Sequence, residues 1–356
     1  MAETRADLLI EGRIATLSGS RGFGWVEAIA IAGGRVLAAG DRKEVAALAS
    51  AGTRHWQLPR TLAVIPSFTD AHLHCASAAL GAEQPDLNGL DRHGIEQSVA
   101  SAHRSRLEDG DPDGWLLGHG WTFDALGEHP DASWLDEAAP GRPVALWSHD
   151  HHSRWLSARA IQMAGLAATG DPPAGRIERD EDDRPTGIMY EAAAGLVDAF
   201  IPAPSMSEVD WSVGAYARRL AELGVTSVHD PGHVAPDPEL AGGPVHYREM
   251  ARGGHLPLRV MASVREEQLE RAIDIGFRTG QTVEGDERGR YRDGWLKLFS
   301  DGAVGSRTAA LLAPYEPTDP GAPPPDRARG ISLRTHEQLA EVAARAAEHG
   351  IASEIH

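Results

Sequence analysis

Two stretches of this chain repeat one supersecondary unit, and little else in the sequence limits its architecture so tightly. AELGVTSVHD (221–230) and AEHGIASEIH (347–356) each run from a helix end, through a glycine, into a short apolar run that closes on a polar residue. A helix that hands the chain to a strand through a glycine C-cap is the repeating step of α/β architecture. Between the copies, PLRVMASV reads as a strand, REEQLERAIDIG as a helix and WLKLFSDG as a strand. The helix of the second copy is well marked. Thr335 and Gln338 make a capping box, Leu339, Val342, Ala343 and Ala346 form its apolar stripe, and Gly350 ends it. From about residue 209 this alternation predicts a parallel sheet, with chemistry at the carboxyl ends of its strands. Asp230 and His356 fall at equivalent ends.

Upstream the pattern differs. DLLIEG, RIATL and the pair AIAIA and RVLAA around Gly33-Gly34 read as strands and a hairpin, so residues 1–60 form a small all-β unit. TLAVIP (61–66) is apolar on both faces and suits a central parallel strand, which opens a second domain over 61–356. Residues from about 76 to 205 are rich in Gly, Pro, Asp and Trp, with short helical pieces, and read as an insertion subdomain. Within it, 170–187 is expected to be exposed loop and hairpin.

Lys and Arg number 34 against 52 Asp and Glu, a net charge of −18 that argues against nucleic acid or an anionic membrane as partner. The single cysteine, Cys75, excludes an internal disulfide and fits a reducing compartment. MAETRADLLIEGRIATL shows no basic segment followed by an apolar core, and no apolar run approaches a bilayer span. A soluble, cytoplasmic protein acting on a small molecule is expected.

Several residues carry chemistry. In His72-Leu73-His74, strand geometry would project both imidazoles from one face, a fragment of a zinc-type site. The alternative is two histidines satisfied by hydrogen bonds at a strand end. Lys297 in WLKLF shares a face with Trp295 and Phe299, where a bare ammonium is costly. Either its tip snorkels to water, or the amine has reacted with carbon dioxide to give a carbamate, an anionic ligand able to bridge two metal ions. DGAVGSRTA (301–309) lacks the Gly-Lys-Ser/Thr of a P-loop and reads as a tight loop lining a pocket. WSHDHHSRW (147–155) is either a polar loop between buried tryptophans or a substrate contact. His229 and Asp230 either face the pocket or cap the following turn, and Cys75 reads as a small buried side chain.

IPSFTDAHLHC resembles the first barrel strand of the amidohydrolase superfamily. The resemblance is closer to the branch related to N-substituted formamide deformylase (amidohydrolase family 3). Its further marks appear in order as GHGWTFDAL, HPDASWLDEAAPGRPVALWSHDHHSRWLSARAI, RPTGIMYEAA, GVTSVHD and WLKLFSDGAVGSRTAALL. Ser67-Phe68-Thr69 stands where that family shows Gly-Phe-Ile, a departure that keeps Asp70, His72 and His74. The likeness runs from about residue 7 to residue 356.

The resemblance implies a TIM-type (β/α)8 barrel with an N-terminal β-sandwich half-domain. It implies that His72 and His74 bind the more buried metal, that Lys297 is a carbamylated ligand ending strand four, and that His356 is a ligand ending strand five. His152, Glu191 and Asp301 occupy motif positions that line the substrate pocket. The cofactors implied are one or two divalent ions, of zinc type, and carbon dioxide for Lys297. The activity implied is hydrolysis of a non-peptide C–N bond, amide or formamide-like, by a metal-activated water. A cyclic amide, an ester or an amino-substituted ring would suit the same framework. The family's strand-six histidine and catalytic strand-eight aspartate would lie beyond residue 356, so a chain cut after strand five is expected, the first part of a longer protein. A non-catalytic fragment is then the rival reading, and open strand edges would favour homo-oligomers.

Overall fold

The computed structural model describes residues 4–18, 24–172, 175–232, 241–301, 309–315, 329–330 and 332–356. The chain divides into two compact units, Met1–Thr69 with Gly224–Thr226, and Asp70–Leu223 with Ser227–His356.

The first unit is built on one sheet. β1 (Leu8–Ala15) pairs antiparallel with β2 (Trp25–Ala32), and β2 with β3 (Arg35–Gly40) through the predicted turn at Gly33-Gly34. β4 (Arg54–Gln57) and β5 (Ala63–Val64) run parallel to β1. Alternation sorts the side chains: Leu9, Ala28 and Ala30 pack with Val45, while Ile10, Ile14 and Ile29 pack on the opposite face.

β5 corrects one expectation. TLAVIP is not a central strand of the parallel sheet; Leu62 is 55 % and Ile65 48 % exposed, and only Val64 packs, against the Ile10 cluster. An apolar run looks the same in sequence whether it is buried on two faces or pinned by one residue.

The chain forms two further five-stranded sheets. One comprises β7 (Leu116–Trp121), β8 (Val144–Ser148), β9 (Ser153–Leu156), β10 (Gly175–Arg179) and β11 (Pro185–Glu191), in the order β10-β11-β9-β8-β7. It is covered on both faces. Leu146, Trp155 and Ile188 join one apolar cluster, and their chain neighbours Ala145, Leu156 and Met189 join the other.

The other sheet contains β6 (Phe68–Asp70), β12 (Val225–Asp230), β13 (Arg259–Arg265), β14 (Tyr291–Leu298) and β15 (Ser353–Ile355), in the order β15-β14-β13-β12-β6. β12 to β15 are parallel neighbours in chain order. Sequential order is the winding of a barrel, whereas a doubly wound sheet reverses direction midway. Among the described residues this sheet is open, and the expected barrel is not seen as a closed cylinder. The helix His336–Glu348 starts at the Thr335–Gln338 capping box and buries Leu339 and Ala346 against Val264, Leu296, Leu298 and Ile351.

One glycine sets the site's register. A Cβ on Gly294 would lie 2.6 Å from the Ala262 carbonyl carbon, so β13 and β14 approach closely there. The register shift between Ala262 and Val264 then brings Arg265 opposite Lys297. Among the described residues no helix is long and apolar enough to cross a membrane.

Candidate active site

His72 and His74 lie just past the end of β6, in a turn and not on the strand. Asp70 Oδ1 accepts the His72 N–H at 3.0 Å and bends the chain, so that His74 stands at the N-cap position of the helix Cys75–Gly81, with its side chain free of any capping bond. The rings nevertheless meet edge to face, with centroids 5.7 Å apart. His74 Nδ1 lies 3.1 Å from the Gly232 carbonyl oxygen. A carbonyl only accepts, so Nδ1 carries the proton and Nε2 keeps its lone pair, the arrangement of a metal-binding histidine. Partial burial, then the charge of Arg265, lowers the basicity of His74, with smaller effects from His72 and Lys297. The neutral imidazole is the form that ligates.

Asp230 decides between the two readings left open for it. Only 5 % exposed, it accepts the Cys75 N–H at 3.0 Å, the Tyr247 hydroxyl at 3.2 Å and the Gly232 N–H at 3.1 Å. It therefore fixes both the segment after His74 and the carbonyl that orients His74. Burial, followed by the Asp230 charge, pushes the Cys75 thiol up to about 12, so Cys75 is a packing residue.

Lys297 is 6 % exposed and sits in register between Arg265 on β13 and Glu354 on β15. With so little exposure its tip does not snorkel into bulk water; it borders a cavity of about 280 Å³ that Arg265 and Phe299 also line. Phe299 is the common neighbour. Its ring centroid lies 5.3 Å from Lys297 Nζ, 4.7 Å from the Arg265 guanidinium carbon and 5.4 Å from the His356 ring centroid. Among the described residues the lysine has this ring and no hydrogen-bond acceptor. Glu354 Oε1 is buried without a partner. Arg265 and Glu354 were not singled out from sequence, although both follow from register. Arg265 directly follows PLRVMASV, and Glu354 shares a face with His356 two residues on.

His356 extends the pairing of β15. Its N–H donates to the Leu298 carbonyl and its carbonyl accepts the Ser300 N–H, both at 2.9 Å. Asp301 accepts the Ala310 N–H at 2.8 Å and the Ser300 hydroxyl at 3.0 Å, bonds that hold its carboxyl below the usual range. The rest of the DGAVGSRTA loop, residues 302–308, lies outside the described residues.

A cavity of about 940 Å³ opens beside His74, lined by Trp147, His119, His151, Arg219 and Arg265 among others. His152 and Glu191 are not in its wall. They bind each other, Nδ1 to carboxylate at 3.0 Å, while the Glu191 N–H donates to the His152 carbonyl at 2.8 Å. Both ends of this link are bent: His151 has φ +59° and Glu191 φ +53°. Such non-glycine conformations persist only where neighbours impose them. The histidine patch thus points two ways, His151 to the cavity and His152 to Glu191. Sequence reasoning named only the second.

Glu191 raises the basicity of His152. A histidine whose folded pKa lies above its unfolded value near 6.5 adds stability that is complete below that value and is lost as pH rises through the raised one. Denaturant midpoints of the protein and of Glu191→Gln should therefore differ most below about pH 6.5 and converge at higher pH. The half-exposed pair is screened, so the difference is small. A pH-independent difference would show that the pair is not ionic.

Whether these residues suit a metal ion can be judged from their donors. Among the described residues no three His, Cys, Asp or Glu side chains converge to hold one. His72 and His74 supply two imidazoles of the right kind, and a bare ammonium at Lys297 cannot ligate. A carbamate at Lys297 would offer a third donor of a kind that suits a divalent ion.

Residues 62–356 match the model of the amidohydrolase family, and the chain belongs to that family. It is 29 % identical over 300 residues to the protein YtcJ of Bacillus subtilis (strain 168), covering 82 % of this chain and 52 % of YtcJ. It is 24 % identical to the N-substituted formamide deformylase of Arthrobacter pascens, covering 100 % of this chain and 64 % of that protein. The crystal structure of an uncharacterized metal-dependent hydrolase from Pyrococcus horikoshii OT3 has the same fold, with a TM-score of 0.73 at 24 % identity, over 98 % of this chain and 64 % of that one. The chain spans between half and two thirds of the length of these proteins.

Proposed function

We propose that this protein is a metal-dependent hydrolase that cleaves the C–N bond of a small amide, formamide-like substrate, and that β6 and β12 to β15 are strands of a (β/α)8 barrel. Chain-order winding supports the barrel. The observation that carries the activity is the oriented His72–His74 pair, together with a buried lysine that lacks an acceptor and whose charge acts on His74.

His72, His74, the carbamate of Lys297 and His356 would hold one or two ions of zinc type. A divalent ion in this place supplies a water of lowered pKa and polarises the substrate carbonyl. The protein's own part is positioning. The Gly232 carbonyl holds the His74 ring, and Asp230 holds Gly232 and Cys75. For carbamylation the Lys297 ammonium first gives a proton to solvent; the Nζ lone pair then bonds to the carbon of carbon dioxide, one C–O π pair moves onto oxygen, and a second proton leaves Nζ to solvent. The anion so formed would lie in register with Arg265, whose charge favours it.

Metal analysis of the purified protein and of His74→Ala, paired with an N-substituted formamide assay, tests the reading. The expected result is at least one equivalent of divalent metal in the parent, far less in the variant, and hydrolysis that stops on chelation. Equal metal content in both proteins, or hydrolysis that survives chelation, would overturn it.

A further inference from the structure

A second cavity, of about 590 Å³, is lined by none of His72, His74, Lys297 or His356. Among the described residues, Gln84 alone lines both it and the cavity beside His74. Its size falls in the range of about 300–1,000 Å³ that small-molecule sites occupy. Leu117 of β7 and Trp115 just before that strand form part of its wall, Trp115 being 8 % exposed. Another part is Ile201-Pro202-Ala203-Pro204, which leads into the helix Met206–Glu222 and its lining residue Trp211. A capping box fixes the start of that helix: the Ser205 hydroxyl accepts the Glu208 N–H at 3.3 Å, and the Glu208 carboxylate accepts the Ser205 N–H at 2.8 Å. Trp211 is 63 % exposed, and among the described residues no ring or guanidinium stacks on it. The charge in the wall is one-sided. Glu83, Asp111 and Glu208 face a single guanidinium, that of Arg106, whose Nη1 is already paired with Asp111 Oδ2 at 3.3 Å. Asp111 is held in place, since its Oδ1 accepts the Gly114 N–H at 2.8 Å and a Cβ on Gly114 would lie 2.3 Å from its other oxygen. Glu83 has no ion-pair partner among the described residues. Bonds from the Ser205 N–H and hydroxyl hold the Glu208 carboxyl below its usual range, so it stays an anion. Indole faces attract cations and carboxylates repel anions, so this wall favours one sign of ligand.

We propose that this cavity binds an organic ammonium ion with an apolar body. Trp115, Leu117 and Ile201 pack the body, while the Trp211 ring and the Glu83 and Glu208 carboxylates hold the cation. The site is a binding site apart from the metal centre, and it does not depend on the hydrolase reading.

Titration calorimetry on the purified protein tests this, with chelator present so that no metal centre draws the probes. The probes are phenethylammonium, its neutral analogue phenethyl alcohol, and the anion hydrocinnamate. The cation is expected to bind about tenfold or more tightly than the alcohol, and the anion most weakly. The preference should shrink as salt rises, because Glu83 and Glu208 are exposed. Glutamine serves a capping box as glutamate does, so Glu208→Gln removes the charge and keeps the helix start. The double variant Glu83→Gln/Glu208→Gln should abolish the preference. Trp211→Ala should weaken the cation at least about fivefold, and Trp211→Phe should keep part of its binding. His74→Ala should bind the cation as the parent does. Circular dichroism melting confirms that each variant is folded, and the phenylalanine variant keeps the test informative should the alanine variant unfold. No binding of the cation, equal binding of cation and alcohol, a preference that survives the double variant, or binding lost in His74→Ala would overturn the proposal. So would a dimer in sedimentation that Trp211→Ala dissolves, which would assign this face to a second copy of the chain.

Discussion

Lys297→Met is expected to give a folded protein whose divalent-metal affinity falls at least ~100-fold, since even partners behind a ligand are worth 10- to 100-fold. In chelator the same variant should be more stable than the parent by about 1 kcal/mol or more. The two effects have one cause. Lys297 is 6 % exposed, its nearest partner is an aromatic ring, and among the described residues nothing accepts a hydrogen bond from it. An unpaired ammonium in that position is a burden on the metal-free fold. Methionine has similar length, no charge, and a thioether that suits the Phe299 ring. Urea midpoints in chelator and metal equivalents by mass spectrometry read the two effects separately. Unchanged metal content would remove Lys297 from the ligand set, and a large loss of stability in chelator would mean that it is paired.

Asp293→Ala should be the most damaging single change to the parallel sheet, at about 3–5 kcal/mol. Asp293 is 1 % exposed on β14, four residues before Lys297. It accepts Arg248 at 2.7 to 3.1 Å through both carboxylate oxygens, and the Arg278 N–H at 3.0 Å. Alanine would leave a largely buried guanidinium without its anion and a backbone donor without an acceptor. Replacing both partners by apolar residues should cost far less, because the penalty lies in the orphaned charge. Denaturant unfolding of Asp293→Ala and of the double variant Asp293→Leu/Arg248→Met measures this. A loss below about 1 kcal/mol in the single variant would show that the pair contributes little.

Much of the parallel sheet was legible in the sequence. VTSVHD, PLRVMASV, WLKLF and the strand before His356 are all present as strands, and the Thr335 capping box starts the last helix as predicted. These signals are local: a cap, a stripe, a glycine and an apolar run each lie within one element. TLAVIP misled because its burial is a tertiary property, and the strand that flanks β12 is the polar Phe68–Asp70 instead. His72 and His74 are legible as a pair from their spacing, but an Asx turn and not a strand pleat brings their rings together.

The residues themselves settle the family and the kinds of donors present. Imidazoles two apart, a lysine inside an apolar strand and a histidine closing a repeated unit are facts of composition and spacing, which no packing can alter. Only the tertiary structure decided which groups face one another. Strand register, set by the close approach at Gly294, brings Arg265 and Glu354 to either side of Lys297. Backbone bends at His151 and Glu191 turn one histidine to the cavity and its neighbour away. Charges that meet across strands lie 32 and 57 positions from Lys297 in the chain, and at such separations sequence carries no signal of contact until the sheet is assembled.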